Sequence, residues 1–426
     1  MTKRARTILF FVLVFLFFLL APTLILYSQG YRIDFENGKL LLLRTGGIFL
    51  KASPKQADIY LNGKLVQKTD FLFGSALIGN LFPQKYNVRI EKGGYQSWEK
   101  NLRVQPKEVI EAKSIILFPK EIGFEALTKG AENLWFSPDG AKIAILEPDK
   151  SSWALKLFDL KRNIKSHLVA EKDFTAKGAD LLDLEWSDDS KEIYLKIGMK
   201  EQEKNFTLNL DRIPPTPTER KMPLVPGNVL TFQKIDNDIY YLDISGYIFK
   251  SGQNFLNPVK ISQKAYPAKQ EIEYKLRVFS DLIFIQEEKI LYQLSRESGA
   301  FEKFFEEVSD IKISPDREKL AFFSNSEIWL LFQKEQFAPS AKAAGEKLFL
   351  ASFSQAIDAL FWLNNDYLLL KIGNGIKIIE TDDRGRIQQW GLAVPAEMEK
   401  IFFNDADKKL YILSQGSIYS SENLLK

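Results

Sequence analysis

The sequence contains no cysteine and a single histidine, His167. The first absence excludes a disulfide framework and any thiolate metal site, without locating the protein in a compartment. The second leaves a Ser-His-Asp triad one position to use and a His-ligated zinc site short of ligands. His167 lies in the polar stretch Lys165-Ser166-His167-Leu168 and reads as a surface residue. No Gly-x-Ser-x-Gly elbow is present, and Gly46-Gly47 and Gly93-Gly94 lack the Lys-Ser/Thr of a phosphate loop. Acidic pairs occur at Asp188-Asp189, Asp382-Asp383, Asp236/Asp238 and Asp405/Asp407. Paired carboxylates hydrolyse glycosides or bind calcium. These lack calcium-loop spacing and mostly fall in expected turns, where Asp is favoured for backbone reasons. No catalytic, cofactor-binding or metal-ligating residue is expected, and no cofactor.

A charge imbalance is also missing. The chain has 58 Lys+Arg against 55 Asp+Glu, and Lys3, Arg4 and Arg6 account for the excess. Beyond them stand 55 of each sign, so no electrostatic footprint for nucleic acid appears in the body, local basic patches aside.

Long hydrophobic runs are absent after the first. From Ile8 through Phe15 and Leu20 to Tyr27 there is no charge, and twenty residues at 1.5 Å rise span roughly 30 Å of hydrocarbon. Lys3, Arg4 and Arg6 precede the run, so the N-terminus is expected in the cytoplasm and the rest outside. A cleaved signal peptide is the competing reading. Its apolar region is usually ~7–15 residues long, and Leu26-Tyr27-Ser28-Gln29 is a poor cleavage sequence. The expectation is a single-pass signal anchor over residues 1–28 in a cell membrane.

Helical periodicity is scarce beyond residue 30; only Phe301–Val308 and Ser340–Lys347 have spacing for a short turn. What is there is period two. Short runs such as Asp58-Ile59-Tyr60-Leu61 and Asn87-Val88-Arg89-Ile90-Glu91 are bounded by turn residues, with Asn37-Gly38 and Asn62-Gly63 as hairpin signals. Phe (33) and Tyr (15) suit sheet packing. The body is expected to be all-β, with residues 29–46 as a juxtamembrane linker or hairpin.

Residues 47–118 carry Ser53-Pro54-x-x-Ala57-Asp58-Ile59-Tyr60, then Asn62-Gly63-Lys64, then Val88-x-Ile90-x-Lys92-x-Gly94-Tyr95 and Trp98. This order resembles the PEGA domain, a small β-sandwich of exported and surface proteins. Two loops depart from that family, at Thr69-Asp70 and Pro83-Gln84-Lys85. Gly93-Gly94 supplies a bend, and Tyr95 and Trp98 have the bulk to close one end of a sandwich. Core packing is the first reading of these aromatics, an exposed platform for a sugar the second.

Residues 120–426 repeat. Leu134-Trp135-Phe136-Ser137-Pro138-Asp139-Gly140 is the clearest copy, followed by Leu184-Glu185-Trp186-Ser187-Asp188-Asp189 and Ile311-Lys312-Ile313-Ser314-Pro315-Asp316. Weaker copies centre on Trp362 and Phe403, with Phe232 and Phe279 as further landmarks, all 34 to 50 residues apart. A period in this range with several strands per repeat is a propeller blade. The pattern resembles the TolB-type, WD-repeat-like propeller; seven blades are favoured, with six or eight open. Pro214-Pro215-Thr216-Pro217 with Pro223 and Pro226 reads as a stiff connection between blades. Residues 337–347 read as an exposed insertion, a surface elaboration or a loop reaching a partner.

The functional expectation is a bacterial cell-envelope protein whose propeller binds another envelope protein or a cell-wall or surface glycan without catalysis. The alternative is an envelope enzyme, a glycan lyase or hydrolase, with acids, Arg and Tyr converging in the propeller channel. A sensor signalling inward is disfavoured, since about seven residues precede the apolar run.

Overall fold

The computed structural model describes residues 3–36, 39–150, 152–174, 178–199, 202–212, 214–220, 225–279, 282–395 and 397–425. The apolar run forms one helix, α1 (Lys3–Ser28), long and apolar enough to cross a membrane. Lys3, Arg4 and Arg6 open it, and Ile8, Phe15, Leu20 and Tyr27 lie along it. None of its residues is buried, so the core of the body draws nothing from it. A hairpin follows, β1 (Tyr31–Glu36) against β2 (Lys39–Arg44); the Asn37-Gly38 turn expected there lies outside the described residues. Arg32 ties the hairpin down, its guanidinium 3.5 Å from the Tyr27 ring centroid and donating to Asn80 Oδ1 at 2.7 Å.

Seven strands then build a sandwich: β3 (Gly46–Ser53), β4 (Asp58–Leu61), β5 (Lys64–Lys68), β6 (Ser75–Leu81), β7 (Lys85–Glu91), β8 (Trp98–Arg103) and β9 (Val109–Ile116). One sheet has the order β6-β3-β9 and the other β5-β4-β7-β8. Period-two alternation sends Ile48 and Leu50 from one sheet, and Ile59, Val88 and Ile90 from the other, into a shared core. Asn62 and Gly63 both take positive φ (49° and 80°), as a two-residue primed turn demands. Pro54 follows β3, and Ala57 is fully buried with its N–H donating to Thr69 Oγ1 at 2.9 Å.

Beyond the sandwich stand seven four-stranded antiparallel sheets. Blades 1 to 6 begin with Asn133–Phe136, Ala179–Trp186, Val229–Ile235, Tyr274–Phe279, Asp310–Ile313 and Ile357–Trp362. Blade 7 joins Lys400–Asn404, Lys409–Ser414 and Ser417–Asn423 to β10 (Phe124–Lys129), so the two ends of the repeat region close one sheet. First strands of blades 1 and 2, 3 and 4, 5 and 6, and 6 and 7 touch, which sets them around a common axis. The fold is a seven-bladed β-propeller. Each landmark, Phe136, Trp186, Phe232, Phe279, Ile313, Trp362 and Phe403, lies on the first strand of a different blade.

The repeat turns link the blades. Ser137 Oγ donates to Asp139 Oδ1 (2.6 Å) and accepts from the Lys142 N–H (2.9 Å). Ser314 and Asp316 repeat the bond at 2.5 Å, and Ser187 and Asp189 at 2.6 Å. The Asp139 N–H reaches Ser190 of blade 2, while Asn404 of blade 7 donates to Gly140 O at 2.9 Å. Gly140 has φ +65°, and a Cβ there would lie 2.2 Å from Asn404 Oδ1, so a side chain at this position would displace Asn404 from its bond to Gly140 O. Pro138 and Pro315 occupy the second position of their turns. Trp186 and Trp362 add a second link, each indole N–H donating to the preceding blade's first strand, at Trp135 O (3.2 Å) and Lys312 O (3.0 Å).

Two sequence expectations are corrected. Phe301–Phe305 is the outer strand of blade 4 rather than a helical turn. A bulge between Lys303 and Phe305 breaks the period of two, so consecutive Phe304 and Phe305 both pack on Phe322 at 5.4 and 4.9 Å. That break imitates helical spacing. Residues 340–347 form no helix, and Lys347 opens the outer strand Lys347–Ser352 of blade 5. Of the Pro-rich connection, Pro223 lies outside the described residues, and Thr218–Glu219 is a two-residue outer strand of blade 2.

Candidate functional site

The densest chemistry lies where the sandwich meets blade 6. Along β8 the buried positions are Trp98, Lys100 and Leu102, which share one face. A lysine at core parity must find oxygen partners or lose its charge. Blade 6 supplies them. In its third strand, Gly375–Glu380, the residues Ile376, Ile378 and Glu380 share the buried parity, so Glu380 is the same anomaly with opposite sign.

The two anomalies meet. Lys100 Nζ lies 3.1 Å from Glu380 Oε2 and 3.8 Å from Asp382 Oδ1, and donates to the carbonyls of Asp382, Arg384 (3.3 Å) and Arg386 (3.2 Å). Trp98 Nε1 donates to Glu380 Oε1 at 3.0 Å. Arg384 grips Asp382 through Nε (3.0 Å) and Nη2 (2.8 Å), and its Nη1 donates to Glu111 O of β9 at 2.9 Å. Gln388 Nε2 bonds Glu99 O (2.6 Å), and Trp390 Nε1 bonds Ser97 O (3.0 Å). Gly385 lets this loop press on β8, since a Cβ there would sit 3.2 Å from the Asn101 backbone and its φ is +72°.

Apolar packing flanks the charges. Phe118 lies edge-on to Tyr367 at 5.4 Å and tilted to Trp390 at the same distance, and the Tyr367 hydroxyl accepts from the Ile116 N–H at 3.1 Å. One continuous core runs from the sandwich through blade 6 into blade 7. Sandwich and propeller are therefore bolted together, not strung as beads.

Beside the bolt is a cavity of about 210 Å³, walled by Trp98, residues 111–115, Asp366, Glu380, Asp382 and Arg384. Its last wall comes from Gln336 and from Ala338 and Pro339 of the insertion. That insertion is a brace: Ser340 and Lys342 hold the Asp383 carboxylate at 2.6 and 2.7 Å, keeping Asp383 below the usual carboxylate range despite partial burial. Phe337 remains exposed on its outer side.

Burial pushes the Glu380 carboxyl up to about 7, with Lys100 and the Trp98 N–H opposing and Asp382 adding to the rise. Folding therefore takes up a proton between the ordinary value of 4.5 and about 7. The Glu380 contribution to stability is greatest below that window and falls as pH rises through it, by on the order of 3 kcal/mol. Urea midpoints of wild type and Glu380→Gln across pH 4.5–7.5 should diverge, the variant losing this slope. Parallel profiles would remove Glu380 as the titrating group.

Of the features singled out from sequence, Trp98, Asp382-Asp383 and the 337–347 insertion meet at this seam, and the others fall elsewhere. Trp98 is at the bolt and fully buried, so it forms no exposed sugar platform; Tyr95 is partly buried against the same core. Gly94 takes φ +81° in the bend before it. Asp382-Asp383 is the acidic pair that does more than make a turn. Asp189 and Asp407 hold neighbouring groups in their own turns. His167 is about half exposed on the outer strand of blade 1, Nε2 3.9 Å from Asp173. Near the propeller axis Asp310 of blade 5 pairs across to Arg277 of blade 4 (3.6 Å) and, within its own strand, with Lys312 (2.9 Å). Sequence reading missed Lys100 and Glu380, though a charge at each strand's buried parity was visible.

No protein-family model matches the sequence, and no curated protein does. Among solved structures the chain is similar to one in a mitotic checkpoint complex, at 11% identity and TM-score 0.45, covering 72% of this chain and 92% of that one. It is similar to streptogramin B lyase at 15% identity and TM-score 0.44, over 71% and 97%. It is also similar to YCF48 bound to a D1 peptide, at 14% identity and TM-score 0.41, over 71% and 95%. At such identities no activity carries across.

Proposed function

We propose that this chain is a bacterial cell-envelope protein, anchored in a cell membrane by α1 with its N-terminus cytoplasmic, whose propeller binds a protein or glycan partner without catalysis. On this reading residues 1–28 are the tip and anchor, 29–46 the juxtamembrane hairpin, 47–118 a PEGA-like module and 120–426 a TolB-like propeller. The observation that carries it is the Lys100–Glu380 bolt. A module locked to blade 6 holds the propeller at a set attitude to the anchored end, which suits presentation of a rigid face.

The acids at the seam serve that lock. Glu380 and Asp382 face Lys100 and Arg384, and Asp383 faces Ser340 and Lys342. The sandwich occupies the side of blade 6 that carries Asp366 and the 381–388 loop. The opposite loops, such as Ser245-Gly246 and Gln415-Gly416, are left for a partner.

The test is capture of envelope proteins by the immobilised body, residues 30–426, with a glycan array in parallel. A saturable partner on either supports the reading. Turnover of a polysaccharide by the same body would sink it.

A further inference from the structure

Sheet order gives the sandwich two open sides. β8 and β9 are the outer strands on one side, and blade 6 covers them. β5 and β6 are the outer strands on the other. The loop joining them carries Phe71, Leu72 and Phe73, exposed to 68%, 57% and 69%. Leu65, Val66 and Leu77 extend the apolar strip along both strands, which Gln67 ties together by donating to Leu77 O at 3.3 Å.

This tip is built, not slack. Asp70 Oδ1 accepts the N–H groups of Leu72 (2.8 Å) and Phe73 (2.6 Å), and Oδ2 that of Ser75 (2.7 Å). Lys55 Nζ donates to Leu72 O at 2.6 Å. Those bonds hold the Asp70 carboxyl well below the usual carboxylate range. A loop with these N–H groups and the Leu72 carbonyl already bonded loses less on leaving water, and its three side chains gain.

Charge and continuity name the occupant. Between Gly46 and Lys92 basic residues outnumber acidic seven to three, whereas the body as a whole is balanced. Lys51, Lys55, Lys64 and Lys68 are exposed around the strip. The other end of β6 is joined through Asn80 to Arg32 of the hairpin, directly after α1.

We propose that the β5/β6 side of the sandwich lies on a lipid surface, Phe71, Leu72 and Phe73 entering the headgroup–acyl boundary and the lysines facing anionic headgroups. The inference rests on the anchor reading for its setting, though not for its chemistry. β6 then runs along the membrane, and the propeller, on the opposite side of the sandwich, points away.

The test uses residues 30–426, which lose no buried residue with α1. The body should co-sediment with vesicles of phosphatidylcholine and phosphatidylglycerol in equal amounts, and more weakly with phosphatidylcholine alone or in high salt. Phe71→Ser/Leu72→Ser/Phe73→Ser should weaken binding at least ~10-fold with an unchanged melting profile. Undiminished binding by the triple variant, or no binding by the wild type, overturns the proposal. So does a dimer in sedimentation velocity that the triple variant converts to monomer, which would assign the strip to a second copy. Alkaline extraction of the full chain from membranes reports on the anchor separately: its release would sink that reading and leave the vesicle result standing.

Discussion

Lys100→Met is expected to destabilise the body by about 3–5 kcal/mol at pH 9, above the value of about 7 to which Glu380 is raised, read as a lower urea midpoint. Methionine fills similar volume, so the loss is electrostatic rather than a packing void. Glu380 Oε2 keeps no compensating cation in a seam closed by Trp98 and Tyr367, and the carbonyls of Asp382, Arg384 and Arg386 lose their shared donor. Asp382 retains Arg384 and suffers less.

Two controls separate this from general damage. Adding Glu380→Gln to Lys100→Met removes the stranded charge, so the double variant should recover much of the deficit and give a coupling energy above ~1 kcal/mol. At pH 5, where Glu380 is protonated, the single variant's deficit should shrink. Additive effects or a pH-independent deficit would show that the pair is not the lock.

A chain ending at Ser414 is expected to yield no monomeric, cooperatively unfolding body. Among the described residues strand Ser417–Asn423 is the only partner of β10 in blade 7, so both are lost to the sheet when it is removed. The backbone edge of Lys409–Ser414 is then left unpaired, and Ile418 is withdrawn from the core that joins blade 7 to Ile143, Ile145 and Phe158 of blade 1. Loss of a buried isoleucine alone costs about 2–5 kcal/mol. An opened ring also presents bare strand edges to other chains. Size-exclusion chromatography should show aggregates and limited proteolysis a diffuse ladder; a sharp monomer with one unfolding transition would show that closure is dispensable.

Individual residues show how far the sequence could be read. Ser137-Pro138-Asp139-Gly140 and Ser314-Pro315-Asp316 marked blade turns because a short turn is settled by its own residues: Ser and Asp bond locally, proline presets φ. Blades 3 and 4 had no such turn and were found by spacing alone. The bulge beside Phe304 imitated helical periodicity because sequence shows side-chain order but not an interrupted ladder. The 337–347 insertion looked like a free surface loop because its partner, Asp383, lies some forty residues on.

The opening absences carried through to the body. With no cysteine and balanced charge beyond Arg6, what sequence by itself determined was local and periodic: an apolar helix, strands of period two, turns, and a repeat whose seven landmarks each begin a blade. Those features depend on neighbours a few residues apart, so they are written in order along the chain. The bolt depended on folding. Lys100 and Glu380 stand 280 residues apart, and each was visible only as a charge out of place. The tertiary structure decided that each is the other's partner, because burying either charge alone costs more than burying the two together.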